Sequence, residues 1–288
     1  RGVEAVPLRA QAISIKPLSP VLGAEVLGVD LSKPLSNAEF DAIHRAFLQH
    51  HVIFFRDQDL SPDDLVAFGK RFGTLNIHPY VKGMDSHPEI LEIIKEPEER
   101  INFGGGWHSD MSFLEEPALG SQLYAMEVPD VGGDTLFASQ YAAYDALSDG
   151  LKETLSGLRA IHTAAEEYGA RGHSAQKRAS MDSEVVGDDV PEYEHPVIRT
   201  HPETGRKGLY VNPGFTLRFA GWTRRESKPL LDYLFELSRR EAFTCRFRWE
   251  KGSLAFWDNR CVWHYALNDY HGKRRHMRRV TINGDRPR

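Results

Sequence analysis

Short apolar segments recur along the whole chain, and their spacing is typical of β-strands. The clearest alternation covers residues 243–249, where Phe243, Cys245, Phe247 and Trp249 would share one side of a half-buried strand. The continuous apolar run 52–55 predicts a fully buried strand. Similar segments predict further strands within 12–31 and at 121–128, 196–200, 208–212, 253–257 and 279–282. Many short strands of this kind are typical of a sandwich or a barrel.

Helices are indicated where apolar residues recur every three or four positions behind a capping residue. Ser36 and Glu39 form a capping box, in which the hydroxyl and the carboxylate satisfy the first free backbone N–H groups. Thr223 and Glu226 repeat this pattern before a leucine-rich stretch. Ser148 is the predicted cap of another helix. Helices are therefore expected mainly in the first third of the chain and in two later insertions.

The order of these elements predicts a mainly β protein with flanking helices (α+β), built as a double-sheet jelly roll. We expect residues 1–288 to form one domain. Residues 163–194 are polar and offer few apolar anchors, and a loop of this length inside a compact domain is usually functional, so we predict a lid insertion there. Residues 76–100 carry three prolines and are predicted to be irregular.

Composition narrows the class of protein and its partners. The 288 residues are 41% hydrophobic and 27% charged, as in ordinary globular proteins. A formal net charge of -5 gives no reason to expect a nucleic acid or an anionic membrane as partner, and no apolar run is long enough to span a bilayer. No secretory signal is visible, so we expect a cytoplasmic protein in which Cys245 and Cys261 are reduced thiols rather than a disulfide.

The glycine-rich stretch 104–113 is the first candidate for chemistry, because it places His108 and Asp110 one residue apart. On a strand, both side chains would point to the same side. With one distant His they would form a facial triad, the site type of non-haem Fe(II) oxygenases, which leaves other metal positions open. His264 ends a strand-like segment that could return beside them. The spacing alone is a weak signal among 13 His, and a hydrogen-bonded His in a surface turn is the alternative.

A basic run at 273–279 is the second candidate. On a strand, Arg275, Met277 and Arg279 would share one side, and the residues between them would share the other. Two arginines that face a pocket need anionic partners, because a buried charge is costly alone, and the planar guanidinium is suited to carboxylates. The alternative is a solvated basic edge strand that resists aggregation.

Five motifs taken together resemble the taurine dioxygenase family. In chain order they are Trp107-His108-Ser109-Asp110, Gly132-Gly133-Asp134-Thr135, Trp257-Asp258-Asn259-Arg260, His264-Tyr265 and the pair Arg275 and Arg279. The resemblance extends from about residue 13 to residue 287. Members of that family are Fe(II)- and 2-oxoglutarate-dependent oxygenases with a double-stranded β-helix core. The resemblance therefore implies this jelly-roll fold, iron, 2-oxoglutarate as cosubstrate and O₂.

The resemblance also implies which residues form the site. His108, Asp110 and His264 match the iron ligands, and Thr135 and Arg275 match the residues that hold the distal carboxylate of 2-oxoglutarate. The ketoacid end would bind the iron through two oxygens, which leaves one position for O₂. The implied reaction releases succinate and CO₂ and hydroxylates an unactivated C–H bond of the substrate. The side chains then need only position the reactants, because the cofactor carries the chemistry.

The substrate implied by the resemblance is a small organic anion, taurine or another sulfonate, oxidised next to its anionic group. His78 and Arg279 match the residues that contact the sulfonate. Phe215 matches an aromatic side chain over the substrate. An anionic head group is therefore expected between His78 and Arg279.

Two positions depart from the family pattern near the taurine amine. Val81 and Gly104 stand where the family has a Tyr and an Asn, so both polar contacts are missing. Tyr80 is one position away and could substitute, and Met111 completes the predicted substrate contacts. Smaller and less polar residues at these positions could admit a bulkier substrate, or one without an amine.

Other functions are compatible with parts of the pattern. An alkyl sulfate or aryloxyalkanoate dioxygenase would use the same scaffold on another anion. A zinc hydrolase could use the same three ligands with a metal-bound water, but it would have no use for Thr135 and Arg275 and needs a general base that we do not find. A non-enzymatic jelly-roll binding module is disfavoured by the intact ligand spacing. We also expect a homo-oligomer, either a dimer or a tetramer.

Overall fold

The computed structural model describes residues 12–169, 181, 187 and 189–288. Its described strands, in chain order, are β1 (Ser14–Pro17), β2 (Ala24–Leu27), β3 (Val52–Phe55), β4 (Ile90–Lys95), β5 (Gly120–Glu127), β6 (Thr135–Ser139), β7 (Arg159–Thr163), β8 (Glu192–Pro196), β9 (Ile198–Thr200), β10 (Lys207–Leu209), β11 (Thr216–Phe219), β12 (Thr244–Phe247), β13 (Leu254–Asp258), β14 (Val262–Ala266) and β15 (Arg275–Ile282). The described helices are α1 (Asn37–His50), α2 (Pro62–Lys70), α3 (Gln140–Asp145), α4 (Asp149–Ser156), α5 (Ala165–Tyr168) and α6 (Arg224–Ser238).

Two sheets form the jelly roll. The major sheet has the strand order β1-β2-β3-β13-β5-β15-β4, and the minor sheet has the order β12-β6-β14. Neighbouring strands in both sheets are antiparallel, except β2 and β3, which are parallel. A three-stranded sheet β11-β7-β8 and the hairpin of β9 and β10 complete the β structure. The mainly β architecture with flanking helices is confirmed.

Residues of the major sheet alternate between two hydrophobic cores. Ile53 and Phe55 belong to the first core, together with apolar residues of α1 and α2. Val52 and Phe54 belong to the second core, together with residues of the minor sheet such as Phe137. This alternation follows from the period of two along a strand, and it makes β3 apolar on both faces. The second core thus lies between the two sheets.

Aromatic rings join the layers on both sides of the major sheet. Phe256 stacks on Phe47 of α1, with ring centroids 4.1 Å apart. On the opposite face, Phe54 stacks on Phe247 of the minor sheet at 4.0 Å. Rings of this size bury a large apolar area and pack best in offset or edge arrangements. These contacts pack α1 and the minor sheet against opposite faces of the major sheet.

The predicted helix starts are confirmed. Capping boxes are present at Ser36 with Glu39 and at Thr223 with Glu226. The Ser148 hydroxyl accepts a hydrogen bond from the Leu151 N–H at the start of α4. These polar caps hold the ends of helices whose apolar faces pack against the sheets.

Two segments differ from the sequence-based expectation. The range 76–100, predicted to be irregular, contains β4, which pairs with β15 at the edge of the major sheet. The predicted lid insertion begins and ends in regular structure, since β7, α5 and β8 occupy parts of it. Proline content misled the first prediction, because the prolines flank the strand. The central part of the lid prediction lies outside the described residues.

Cys245 and Cys261 are buried free thiols, as predicted. Both belong to the second core, where burial raises the pKa of each thiol. Among the described helices, none is both long enough and apolar enough to cross a membrane.

Replacing Phe256 by Ala should lower the free energy of unfolding by about 3–5 kcal/mol, because it removes a fully buried ring and leaves a cavity. Chemical denaturation followed by circular dichroism measures this. Tyr233→Ala, at an aromatic residue 48% exposed on α6, is the control and should change stability by less than about 1 kcal/mol. Equal losses for the two variants would contradict the assigned core.

Candidate active site

The stretch that contains His108 and Asp110 is not a strand, so the predicted strand geometry is wrong. His108 makes one isolated antiparallel bridge with His264, through hydrogen bonds of 3.1 and 2.9 Å. Asp110 follows in a turn, and Met111 has a positive φ of 59°. The bridge and the turn, rather than a strand pleat, bring the two side chains to one side.

His108, Asp110 and His264 converge at one point. Their ligand atoms all lie within 4.8 Å of one another. Asp110 Oδ1 is 3.4 Å from the Nε2 atom of each His. An arrangement of two imidazoles and one carboxylate suits Fe(II), and three protein ligands leave positions for other groups.

The protonation states also suit a metal. His108 Nδ1 donates to the Gly106 carbonyl at 2.8 Å, which leaves the Nε2 lone pair free. Burial lowers the pKa of His264 to about 4, so its imidazole is neutral near pH 7. Burial opposes ionisation of Asp110, yet His264 and Arg279 beside it hold the pKa of this carboxyl well below its usual range. The three residues therefore fit a divalent metal ion.

A second group of metal-ligand types lies nearby, but its charge is already matched. His201, Asp258 and Cys261 approach one another within the same distance limit. Arg260 binds both oxygens of Asp258, at 2.8 and 3.0 Å, and His201 donates to the same carboxylate at 2.8 Å. A carboxylate held by a guanidinium fork has little capacity left for a cation, so this group is a structural ion pair.

The inward and outward sides of β15 match the prediction. Arg275 and Arg279 are each 6% exposed, and Met277 between them is fully buried. On the other side, Arg274 pairs with Glu96 and Glu127, and its Nη1 lies 2.7 Å from Glu127 Oε2. Arg278 on the same side pairs with Glu92. The outward arginines are partly solvated and form ion pairs, whereas the inward ones face the interior.

Arg275 is a buried cation that forms no ion pair with an acidic side chain among the described residues. Its Nε and Nη2 atoms have no hydrogen-bond partner in the part of the chain that the structure describes. Trp249 links it to Thr135, because the Trp ring lies 5.8 Å from the guanidinium carbon and its Nε1 donates to Thr135 Oγ1 at 2.9 Å. The Thr135 hydroxyl then keeps its own proton to donate. A guanidinium and a hydroxyl donor together fit a carboxylate such as the distal one of 2-oxoglutarate.

A cavity of about 370 Å³ opens beside His108 and Asp110. Much of its wall is apolar and comprises Ile101, Phe103, Trp107, Phe113, Pro213 and Phe215. His78 and Arg279 also line it, as do Gly104 and Met111. Five of the predicted substrate contacts therefore share one cavity: His78, Gly104, Met111, Phe215 and Arg279. Two acidic residues, Glu166 and Glu167, line it as well. Mainly apolar cavities with a limited set of polar groups are typical of small-molecule sites.

His78 carries a neutral N–H donor at the wall of this cavity, where its Nε2 lies 3.5 Å from the hydroxyl of Tyr168, another lining residue. Its Nδ1 accepts hydrogen bonds from the backbone N–H groups of Tyr80 and Val81, at 3.0 and 3.1 Å, so the proton must be on Nε2. Burial, and then the charge of Arg279, lowers its pKa to about 3. The segment 78–81, which we call the His78 turn, thus fixes one tautomer of the His78 ring.

Tyr80 and Val81, the two other predicted substrate contacts, are not among the residues that line this cavity. Their contact with His78 is made by their backbone N–H groups, which donate to its Nδ1 atom. Tyr80 stacks on Tyr168 with ring centroids 5.0 Å apart. Val81 is 3% exposed and packs in a hydrophobic cluster with Met111. Val81 also lines a smaller pocket together with His78 and Arg279.

Comparison with known proteins decides the family. Residues 14–281 match the family described as "Taurine catabolism dioxygenase TauD, TfdA family". The chain belongs to this family. It is therefore a 2-oxoglutarate-dependent dioxygenase that uses Fe(II) and O₂, and the zinc hydrolase and the non-enzymatic module are no longer needed as explanations.

Several relatives cover nearly the whole dioxygenase chain. It is 35% identical over 280 residues to the alpha-ketoglutarate-dependent (2-oxoglutarate-dependent) sulfate ester dioxygenase of Pseudomonas putida, covering 96% of this chain and 92% of that protein. It is 34% identical over 277 residues to an alkylsulfatase of Acinetobacter baylyi, covering 96% and 86%. The crystal structure of a taurine dioxygenase from Burkholderia xenovorans superimposes with a TM-score of 0.81 at 37% identity, covering 96% and 91%.

Sequence reasoning missed several residues that support this dioxygenase site. Asn259 lies in the recognised motif Trp257–Arg260, yet the motif did not indicate which atoms it contacts. Ser121 and Trp249 sit in or beside ordinary strand segments and carry no local signal. Gly214 is also informative, because a Cβ there would lie 2.9 Å from the Cβ of His108. Because Gly214 has no side chain, this part of the cavity wall can pack directly against His108, a candidate metal ligand.

His78 should stay neutral from about pH 8 to about pH 5, because its pKa is lowered from 6.5 to about 3. Two-bond ¹H–¹⁵N spectra of labelled protein should show Nε2 protonated and Nδ1 unprotonated throughout this range. The unfolded chain binds this proton more readily, so His78 should reduce folding stability as pH falls from 6.5 toward 3. His78→Gln identifies the signal, and a titration midpoint near 6.5 would contradict the assignment.

Proposed function

We propose that His108, Asp110 and His264 bind the iron of this dioxygenase and that Thr135 and Arg275 bind the distal carboxylate of 2-oxoglutarate. The convergence of the three ligand atoms supports the first assignment. The unpartnered guanidinium atoms of Arg275 support the second. Iron and 2-oxoglutarate, when bound, supply the oxidation of a C–H bond by O₂. The chain itself positions the substrate, excludes water and holds the charges in place.

We further propose that the substrate is a small organic anion whose head group lies between His78 and Arg279. One observation carries this proposal: a neutral N–H donor and a buried guanidinium face the same apolar cavity, next to His108 and Asp110. Arg279 Nη1 lies 3.6 Å from Asp110 Oδ1, while its Nε has no hydrogen-bond partner among the described residues. A neutral His adds a donor without adding a second cation, which suits a monoanion.

A sulfonate is our first choice for this head group. Its three oxygens can accept from several donors at once, and both residues that match the family's sulfonate contacts line the cavity. Sulfate esters are the second candidate, because they carry the same SO₃ oxygens and because two relatives are named for sulfate ester substrates. The apolar cavity wall fits the tail of either class. Gly104 offers no side chain to bind an amine, so taurine itself is not favoured.

Hydroxylation next to the head group leads to cleavage in both classes. Insertion of one oxygen atom at that carbon gives a hydroxyl group on the carbon that bears sulfur or the ester oxygen. Loss of the hydroxyl proton then forms a C=O bond while the C–S or C–O bond breaks. A sulfonate yields an aldehyde and sulfite, whereas a sulfate ester yields an aldehyde and sulfate.

A matched substrate panel tests the proposal and separates these classes. Linear 1-alkanesulfonates, alkyl sulfates and neutral alcohols of equal chain length would be incubated with Fe(II) and 2-oxoglutarate, together with an aryloxyacetate. We expect succinate formation coupled to sulfite release from the sulfonates. Sulfate release alone would select the second candidate. Phenol release from the aryloxy acid alone, or equal turnover of the neutral alcohols, would refute the organosulfur anion.

The variant Arg279→Met would be tested with the same substrate panel, to ask whether this residue binds the head group. We expect it to lower kcat/KM at least about tenfold for every anionic substrate, because it removes a charge-assisted hydrogen bond. Binding of 2-oxoglutarate should be little changed, since Arg275 remains. Unchanged kinetics with the anions would show that another residue binds the head group.

Replacing Arg275 by Ala should weaken 2-oxoglutarate binding about ten- to a hundredfold. Loss of a hydrogen bond to a charged group costs about 1.5–3 kcal/mol, which corresponds to that range. Calorimetric titration under anaerobic conditions with Fe(II) measures the affinity. Arg274→Ala is the matched control on the outward side of β15, where Glu96 and Glu127 bind the guanidinium. An equal effect of both variants would argue against the clamp.

A further inference from the structure

We infer that Ser121 and Asn259 are positioning residues that decide which oxygen of Asp110 is presented to the metal. This inference rests on the proposed iron site. It concerns two buried residues that do not line the substrate cavity. Its basis is a closed set of hydrogen bonds around one carboxylate.

The hydrogen bonds form a ring that begins and ends at Asp110. Ser121 Oγ donates to Asp110 Oδ2 at 2.6 Å. Asn259 Nδ2 donates to the same Ser121 Oγ at 2.9 Å, so the hydroxyl accepts one hydrogen bond while its proton is donated to the carboxylate. Asn259 Oδ1 in turn accepts from the Asp110 backbone N–H at 3.2 Å. The Asn259 side chain therefore binds the Asp110 backbone directly and the Asp110 carboxylate through Ser121.

The ring divides the two carboxylate oxygens between two tasks. Oδ2 is bound by the serine hydroxyl, while Oδ1 faces the Nε2 atoms of His108 and His264 at 3.4 Å each. Arg279 Nη1 also lies on the Oδ1 side, at 3.6 Å. A carboxylate that rotated freely could offer either oxygen, or both, to a metal. The tether fixes a one-oxygen ligand before any metal arrives.

The tether is itself anchored in the major sheet. Ser121 lies on β5 directly opposite Trp257 on β13, and Asn259 follows at the end of β13. Trp257 Nε1 donates to Asn259 Oδ1 at 3.0 Å, and Asn259 N donates to the Leu119 carbonyl at 3.0 Å. The neighbouring Asp258 is held by the Arg260 guanidinium. The amide cannot rotate without breaking contacts to two strands.

A purely structural role makes a different prediction from a positioning role. If the ring served only to satisfy buried polar groups, removing the serine hydroxyl would lower the stability of the metal-free protein and leave metal affinity unchanged. If it positions the ligand, the metal affinity must fall as well. Groups that orient metal ligands typically contribute about ten- to a hundredfold in metal affinity.

The chain offers a matched pair of serines for this test. Ser121 and Ser109 are both buried, and each makes a hydrogen bond with Asn259. Ser109 Oγ donates to the Asn259 backbone carbonyl at 2.8 Å, whereas only Ser121 reaches the Asp110 carboxylate. Serine to alanine at either position removes one oxygen atom and creates no new contact.

The experiment measures Co(II) binding to the metal-free protein by calorimetry, without 2-oxoglutarate or substrate. The proteins compared are the wild type, Asp110→Ala, Ser121→Ala and Ser109→Ala, each with its unfolding temperature recorded. We expect Ser121→Ala to weaken Co(II) binding about ten- to a hundredfold. Ser109→Ala should bind within about threefold of the wild type, although its unfolding temperature falls by a similar amount.

The outcomes distinguish the proposed metal site from the positioning role of Ser121 and Asn259. Failure of the wild type to bind Co(II), or undiminished binding by Asp110→Ala, would overturn the proposed metal site itself. If Asp110→Ala loses binding but Ser121→Ala retains wild-type affinity, the metal site stands and the positioning role is refuted. Equal weakening in Ser109→Ala and Ser121→Ala would also refute it, because the effect would then reflect packing around Asn259.

Discussion

Arg275 and Arg279 bring two positive charges into the interior from one face of one strand, and much of the site depends on how those charges are accommodated. Removing a charged group from water costs several kcal/mol even after the protein relaxes. Asp110 partly offsets this cost for Arg279, at 3.6 Å. Arg275 has no ion pair with any described residue, its Nε and Nη2 atoms have no hydrogen-bond partner there, and burial lowers its pKa. The site therefore holds a cation whose best partner is an anionic ligand.

The position of β15 in the major sheet makes this arrangement possible. The strand pairs with β5 on one side and β4 on the other, so its backbone groups are satisfied and its direction is fixed. Met277, fully buried, anchors the strand in the core between the two arginines. Charged groups that must meet a ligand with defined geometry are best carried by such a rigid element. The outward arginines of the same strand pair with Glu residues and remain partly solvated.

The proposed head group and tail of the substrate would contact different kinds of structure. The candidate head-group contacts come from the major sheet, through Arg279, and from the His78 turn, whose backbone locks one tautomer. Much of the apolar wall comes instead from segments 101–107 and 213–215, which lie outside the two sheets of the jelly roll. Loops tolerate change better than strands. This division is consistent with a family whose members share an oxidation chemistry and differ in the substrate for which they are named.

The sequence by itself determined most of the secondary structure, because apolar alternation and polar caps act over a few residues. It also determined the two faces of β15, since a period of two sorts Arg275 from Arg274. The family resemblance indicated the site residues, of which His78, His108, Asp110, Phe215 and Arg279 line one cavity. Tertiary structure decided that the stretch with the candidate ligands is a turn held by a bridge to His264, that Val81 lines a smaller pocket beside His78 and Arg279, and that Ser121 and Asn259 tether Asp110. Those features depend on contacts between residues far apart in the chain, such as Ser121 with Asn259, and no local pattern records which distant atoms will meet.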